Sequence, residues 1–197
     1  IGREIDDKYM VELKKQIIHP EVIQEMAEDM KIVYSPFNGT GNVPVRRILS
    51  ELGFKNVYVV PEQEMPDPDF TTLDYPNPED PKAFTLALKL AKEKNADIVL
   101  ATDPDADRLG IYALDTKSGE YVPFTGNMSG MLIAEYILRE RTATGKMPEN
   151  PALVTTIVTT NMARAIADDY KVKFIEVLTG FKYIGEQIKL FERDGSN

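Results

Sequence analysis

The apolar run at residues 96–102, Ala-Asp-Ile-Val-Leu-Ala-Thr, constrains the fold most, because it is typical of a strand that is buried on both faces. Three carboxylates follow it directly, at Asp103, Asp105 and Asp107. Pro104 fixes its own φ and disfavours helix at the preceding residue, so we predict a stiff acidic loop rather than the start of a helix. Ligands of parallel sheets bind beyond the carboxyl ends of the strands, which makes this loop the first candidate site.

Carboxylates this close to one another repel unless water or a cation neutralises them. A ligand set made only of oxygen favours Mg²⁺, Mn²⁺ or Ca²⁺ over zinc or copper. Arg108 comes next in the chain, where its guanidinium could grip a phosphate with two parallel hydrogen bonds. A metal, an arginine and a phosphate together predict phosphoryl-transfer chemistry.

Other interpretations of the acidic loop compete with this one. An EF-hand is excluded, because its sixth and twelfth positions need glycine and glutamate, and here they are Arg108 and Leu114. The loop could also be a hydrated turn in an α/β interaction domain, since aspartate is common in turns. A third possibility is a divalent-metal module that performs no phosphoryl chemistry.

The rest of the chain alternates between strand patterns and helix patterns. This alternation predicts an α/β fold, with a mostly parallel mixed sheet, helices on both of its faces, and a partial second α/β unit of the same plan. We place the two domains at residues 1–124 and 125–197. The second has only two strong strand patterns, too few for an ordinary independent core, and residues 193–197 look like a turn. We therefore expect this domain to be truncated.

Composition limits the partners and the chemistry. The net charge of −9 argues against nucleic acid and anionic membranes as partners. We find no apolar run near the roughly 18 residues of a membrane span and no signal peptide, so we expect a cytoplasmic protein. The absence of cysteine excludes disulfides, thiol catalysis and thiolate metal sites. The only histidine, His19, precedes Pro20 and is expected to end a helix rather than to catalyse.

Two further loops precede predicted helices. The polar loop at residues 35–42 could hold an anion on free backbone amides, or it could be a tight structural turn. It is not a dinucleotide fingerprint, because Pro44 occupies the place of the third glycine. Within the proline-rich loop at 61–81, we expect Asn77 to cap a helix that has Pro78 at its first position.

The acidic loop resembles a known family. Asp-Pro-Asp-Ala-Asp-Arg at 103–108 is similar to the metal-binding loop of the α-D-phosphohexomutases, the phosphoglucomutase/phosphomannomutase superfamily. The commoner form has glycines in place of Pro104 and Ala106, and this variant resembles the branch that contains phosphoglucomutases and phosphopentomutases. Gly-Thr-Gly at 39–41 and Pro-Asn-Pro-Glu at 76–79 also resemble segments of the superfamily's second domain.

The resemblance assigns a role to each residue of the site. It implies that Asp103, Asp105 and Asp107 hold Mg²⁺ and that Arg108 steadies the phosphoryl group or the intermediate. Thr-Gly-Phe-Lys at 179–182 resembles the sugar-phosphate loop of the third domain.

By the same resemblance, Thr179 would touch the sugar, and Lys182 would contact a phosphate or assist proton transfer. Local sequence is equally consistent with Lys182 as an exposed lysine at the entry to a helix.

The resemblance also implies an activity. The whole enzyme would be an isomerase that moves phosphate between the C1 oxygen and the exocyclic hydroxyl of a hexose, through a bisphosphorylated sugar. Its first domain carries a phosphoserine within Thr-Ser-His-Asn-Pro, a sequence that this chain does not contain. We therefore expect a fragment that covers the second domain and the start of the third, has no catalytic residue of its own, and is inactive alone.

The expected partners are a phosphosugar, its bisphosphate and the remaining domains of the same enzyme. The sequence leaves open whether the sugar is glucose, mannose, a pentose or a hexosamine.

Overall fold

A computed structural model describes residues 2–195, so the last two residues of the predicted turn at 193–197 lie outside the described part of the chain. The molecule divides into two compact units, with the boundary between Gly126 and Asn127. Within residues 2–195, none of the helices has the length and hydrophobicity needed to cross a membrane.

The first unit alternates helices and strands, as expected. Its helices are α1 (Arg3–Lys14), α2 (Pro20–Met26), α3 (Asn42–Glu51), α4 (Pro61–Glu64) and α5 (Thr85–Lys94), with a 3₁₀ turn at Pro81–Phe84. Its strands are β1 (Lys31–Ser35), β2 (Asn56–Val59), β3 (Ile98–Thr102), β4 (Leu109–Asp115) and β5 (Glu120–Phe124).

The five strands form one mixed sheet in the order β2-β1-β3-β4-β5. Strand β1 runs parallel to β2 and β3, whereas β4 runs antiparallel to β3 and β5. The direction changes after β3 because the acidic loop is too short for a crossover helix, so β4 must return directly beside β3. The α/β fold with a mixed sheet is confirmed, although this sheet has as many antiparallel strand pairs as parallel ones, two of each, rather than a parallel majority.

The centre of this sheet is covered on both faces. Ile32, Val33 and Tyr34 are consecutive residues of β1, and all three are buried. Because neighbouring side chains of a strand point to opposite faces, both faces must be shielded from water. On one face Val33 packs in a core cluster with alanines of α5, among them Ala87 and Ala91.

The approach to α5 differs from the sequence-based prediction. Asn77 does not begin a helix; its side-chain oxygen accepts a hydrogen bond from the backbone nitrogen of Glu79 at 3.0 Å. The helical segment begins four residues later, at Pro81, and is capped by Asp80. The reason is Pro81, because a proline disfavours helical geometry at the residue before it, and Asp80 is extended.

The second unit repeats the strand–helix–strand plan around a small core. It contains most of α6 (Gly126–Ala143), then β6 (Ala152–Thr156), α7 (Met162–Asp169), β7 (Lys173–Val177) and α8 (Phe181–Asp194). Strands β6 and β7 are parallel. Met131, Ala163 and Ile166 form the buried cluster.

Candidate metal centre

The acidic loop connects the carboxyl end of β3 to the start of β4. One carboxylate oxygen from each of Asp103, Asp105 and Asp107 can be chosen so that all three lie within 4.8 Å of one another. Asp103 is 1% exposed, whereas Asp105 and Asp107 are open to solvent. The structure therefore brings the three predicted metal ligands together, with one anchored in the protein and two at the surface.

A tight turn folds the loop back on itself. The backbone nitrogen of Ala106 donates a 2.9 Å hydrogen bond to the carbonyl of Asp103. Ala106 has a φ of 59°, in the left-handed region that favours glycine. This turn brings alternate residues of the loop close to one another, which is how the carboxylates come together.

Arg108 holds the buried carboxylate in place. Its backbone nitrogen donates to Asp103 Oδ1 at 3.0 Å, and its side-chain Nε donates to Asp103 Oδ2 at 2.7 Å. The Arg108 side chain remains half exposed. Its two terminal nitrogens make no hydrogen bond to any other described residue, so they are available to an anion such as phosphate.

The carboxylates differ in their ionisation. Burial raises the pKa of Asp103, but the hydrogen bonds from Arg108, a hydrogen bond with Asp107 and the charge of Arg108 together lower it by more, so this pKa lies below its ordinary value. The pKa of Asp107 is raised, first by its hydrogen bond with Asp103, then by burial and by the charges of Asp103 and Asp105. The loop thus carries more negative charge than Arg108 compensates, and a cation would relieve the repulsion.

The loop at residues 35–42 packs directly against the acidic loop. The backbone nitrogen and the hydroxyl of Thr40 both donate to the carbonyl of Pro104, at 2.8 and 3.0 Å. The backbone nitrogens of Asn38 and Gly39 donate to the carbonyls of Gln63 and Pro36. Because these amides already have partners, the structure favours the tight turn over the anion site.

A cavity of about 500 Å³ lies beside the acidic loop in the first unit. Its wall includes Pro78, Glu79, Arg108, Tyr112 and Phe124. Arg108 therefore faces both the buried carboxylate and this cavity, and the Pro-Asn-Pro-Glu segment reaches the same place through Glu79.

The second candidate loop lies in the other unit, between β7 and α8. Thr179 and Lys182 are both exposed, on either side of Gly180 and Phe181. Gly180 has a φ of 134°, which suits glycine, and Phe181 is 80% exposed. The Lys182 Nζ lies 4.9 Å from the centre of the Tyr183 ring. Both predicted residues are thus accessible, at the beginning of a helix.

Two family models match consecutive parts of the chain. Residues 7–116 match the description "Phosphoglucomutase/phosphomannomutase, alpha/beta/alpha domain II", and residues 125–193 match "alpha/beta/alpha domain III" of the same family. The chain belongs to the phosphoglucomutase/phosphomannomutase family.

Individual members of the family agree with this membership. A phosphoglucomutase from Staphylococcus epidermidis is 40% identical over 161 residues, which cover 82% of this chain and 29% of the relative. The structure of a phosphoglucomutase/phosphomannomutase family protein from Burkholderia thailandensis aligns with a TM-score of 0.64 and 19% identity, over 98% of this chain and 36% of that one. The chain therefore spans about a third of such proteins or less.

One further structural neighbour is a complex that contains magnesium. N-acetylphosphoglucosamine mutase from Aspergillus fumigatus, in complex with GlcNAc-6P and magnesium, aligns with a TM-score of 0.54 and 18% identity. The alignment covers 84% of this chain and 32% of that one. At this identity the likeness concerns the fold alone.

The acidic loop of this chain offers the oxygen ligands that suit a hard divalent cation such as Mg²⁺. All three side chains offer carboxylate oxygen, and each still has lone pairs that are not engaged by Arg108. The three aspartates could be recognised from the sequence because they lie at alternate positions of one short loop. The support that Gly39 and Thr40 give to this loop could not be recognised in the same way, because its one signal in the sequence is a Gly-Thr-Gly turn after a buried strand.

Proposed function

We propose that this chain is the metal-binding part of a phosphosugar mutase that interconverts hexose 1-phosphate and hexose 6-phosphate through a bisphosphorylated sugar. The observation that carries the proposal is the set of three carboxylates within 4.8 Å, with Arg108 bound to the buried one, in a chain of this family. The relative named phosphoglucomutase supports glucose as the hexose.

In this proposal Asp103, Asp105 and Asp107 hold Mg²⁺. When bound, Mg²⁺ supplies positive charge that stabilises a phosphoryl group during its transfer. Asp103 fixes one ligand position, because two hydrogen bonds from Arg108 prevent its carboxylate from rotating. Its lowered pKa keeps it ionised, as a metal ligand must be.

Arg108 binds the phosphate in this proposal. Its Nε donates to Asp103, which fixes the guanidinium plane, while the side chain is half exposed and its two terminal nitrogens have no hydrogen-bond partner among the described residues. A fixed guanidinium loses little rotational freedom when it binds an anion, which favours a phosphate in one orientation. The adjoining cavity gives a substrate access to these nitrogens.

We assign residues 1–124 to the domain that carries the metal loop and residues 125–197 to the beginning of a sugar-phosphate domain. In the second, Thr179 would contact the sugar, and Lys182 would contact a phosphate or assist proton transfer. Their exposure beside the N-terminus of α8 supports these roles. The catalytic phosphoserine and the remaining domains would lie outside these residues, so the chain alone should show no mutase turnover.

Titration calorimetry with Mg²⁺ tests the proposal, with and without glucose 1,6-bisphosphate. The chain is compared with Asp105→Asn, which removes one proposed ligand, and with Asp6→Asn, which removes an exposed carboxylate of α1. We expect the sugar to tighten Mg²⁺ binding in the chain and in Asp6→Asn. Asp105→Asn should weaken Mg²⁺ binding by more than about tenfold, because even residues that only support metal ligands contribute about 10–100-fold to metal affinity.

Other outcomes would favour the competing functions. If Mg²⁺ binds equally well with and without the sugar, the chain is a metal-binding module. If Asp105→Asn and Asp6→Asn behave alike, the acidic loop is only a hydrated turn.

A further inference from the structure

Among residues 2–195, Thr40 is the residue outside the acidic loop that hydrogen-bonds to its middle. Thr40 donates two hydrogen bonds to the carbonyl of Pro104, one from its backbone nitrogen at 2.8 Å and one from its hydroxyl at 3.0 Å. The peptide that carries this carbonyl joins Pro104 to Asp105. Its orientation therefore sets where the backbone of Asp105 lies.

The other hydrogen bonds that the structure describes within residues 103–108 are accepted by Asp103. The nitrogen of Ala106 donates to its carbonyl, and the backbone and side chain of Arg108 donate to its carboxylate. None of these bonds holds the carbonyl of Pro104. Asp105 is exposed and lies close to two other negative charges, so repulsion would displace it from a loop that was not held at this point.

Thr40 can hold the loop because its own position is fixed. A Cβ at Gly39 would lie 2.5 Å from the oxygen of Pro104, and a Cβ at Gly41 would lie 2.5 Å from the hydroxyl oxygen of Thr102. Two glycines therefore let the turn pack directly against the acidic loop and the end of β3. The preceding Asn38 anchors the turn on its other side, through a 2.7 Å hydrogen bond to the carbonyl of Met65.

We propose that Thr40 is a positioning residue for the metal centre, whose hydroxyl orients the Pro104–Asp105 peptide so that Asp105 is in place before the cation arrives. Thr40 acts through the backbone and does not touch the ion. A preorganised ligand binds more tightly because less of the binding free energy is used to order it. This inference rests on the proposed function, since it assumes that Asp105 is a metal ligand.

The test removes the hydroxyl and keeps the shape. Thr40→Val loses the hydroxyl but retains the backbone hydrogen bond, whereas Thr40→Ser retains both. Thr85→Val is the matched control, because Thr85 is also exposed and its hydroxyl donates to a backbone carbonyl, that of Lys82, at 2.7 Å. Two quantities are measured: the hydrogen-exchange rate of the Ala106 amide without metal, and the Kd for Mg²⁺.

For Thr40→Val we expect the Ala106 amide to exchange faster and the Kd for Mg²⁺ to rise, each by about 2–10-fold, as for the loss of one hydrogen bond. Thr40→Ser and Thr85→Val should match the unchanged chain in both measurements. Thr40→Ala, which removes the same hydroxyl with a smaller side chain, should reproduce the result of Thr40→Val.

The proposal is overturned if Thr40→Val leaves both the exchange rate and the Kd unchanged. It is also overturned if Thr40→Ser raises the exchange rate and the Kd for Mg²⁺ as much as Thr40→Val does, because the hydroxyl would then make no difference. A faster exchange in Thr40→Val, combined with no Mg²⁺ binding by the unchanged chain, would refute the metal site itself. The Thr40 hydroxyl would then hold the loop without serving a cation.

Discussion

Replacing Gly39 with alanine is the sharpest perturbation of the contact between the two loops. A Cβ built at Gly39 would lie 2.5 Å from the oxygen and 2.7 Å from the carbonyl carbon of Pro104, and closer still to its Cα. Ordinary contacts of a Cβ begin near 3.4 Å, so the two backbones must move apart by about 1 Å. Both sides of the contact are main chain, and no side chain can rotate away.

The expected cost has two parts. Forcing an additional methyl group into a packed contact costs about 1–3 kcal/mol. Separating the loops also weakens the two hydrogen bonds from Thr40 to Pro104, each worth about 1 kcal/mol. We therefore expect Gly39→Ala to lower the free energy of unfolding by about 2–4 kcal/mol.

Urea denaturation, followed by circular dichroism, measures this change, and calorimetry measures Mg²⁺ binding by the folded variant. Gly185→Ala is the control, because it adds the same methyl group within α8, where nothing lies within 4 Å. That substitution should leave stability unchanged or raise it by up to about 1 kcal/mol, since alanine favours helix. A Gly39→Ala variant within about 0.5 kcal/mol of the unchanged chain, with unaltered Mg²⁺ binding, would refute the reasoning.

Two other changes give independent predictions. Ala106→Gly should raise the free energy of unfolding by up to about 1 kcal/mol, because glycine adopts the left-handed backbone at less cost than alanine. Urea denaturation measures this change, and a clear loss of stability would contradict the prediction. Hydrogen bonds from Lys14 and Arg47 lower the pKa of Glu51, so its contribution to stability is present above its ordinary pKa and is lost as pH falls through the lowered one. Thermal unfolding between about pH 6 and about pH 3 should show this loss, and Glu51→Gln should make it smaller.

Most of the order of helices and strands could be predicted because most elements have their own local signal; the short helix α4 lies inside the segment expected to be a proline-rich loop. The run at 96–102 has no polar face, and it became the central strand β3 (Ile98–Thr102). Strands β4 and β5 then follow the acidic loop as an antiparallel pair. The predicted start of the helical segment before α5 was wrong. The prediction took Asn77 as the cap, but Pro81 disfavours helical geometry at Asp80, so the segment begins only at Pro81.

Only the part of the candidate site that lies within one short loop could be recognised from the sequence. Three aspartates in one loop can be read directly, and their role as ligands stays a prediction. Thr40 could not be connected with Pro104, because the two residues are 64 positions apart and meet only when β1 and β3 pair. The hydrogen bond from Arg108 Nε to Asp103 likewise depends on a side-chain geometry that no sequence pattern specifies.

The ion pair between Arg108 and Asp103 has a consequence for the order of binding. The guanidinium cancels one of the three carboxylate charges, so a single divalent cation would bring the loop to electrical neutrality. Without the cation, the remaining negative charge repels a doubly charged sugar phosphate at close range. If the loop serves the proposed function, a bound cation would remove this repulsion, so a sugar phosphate should bind more readily to the cation-loaded loop than to the empty one.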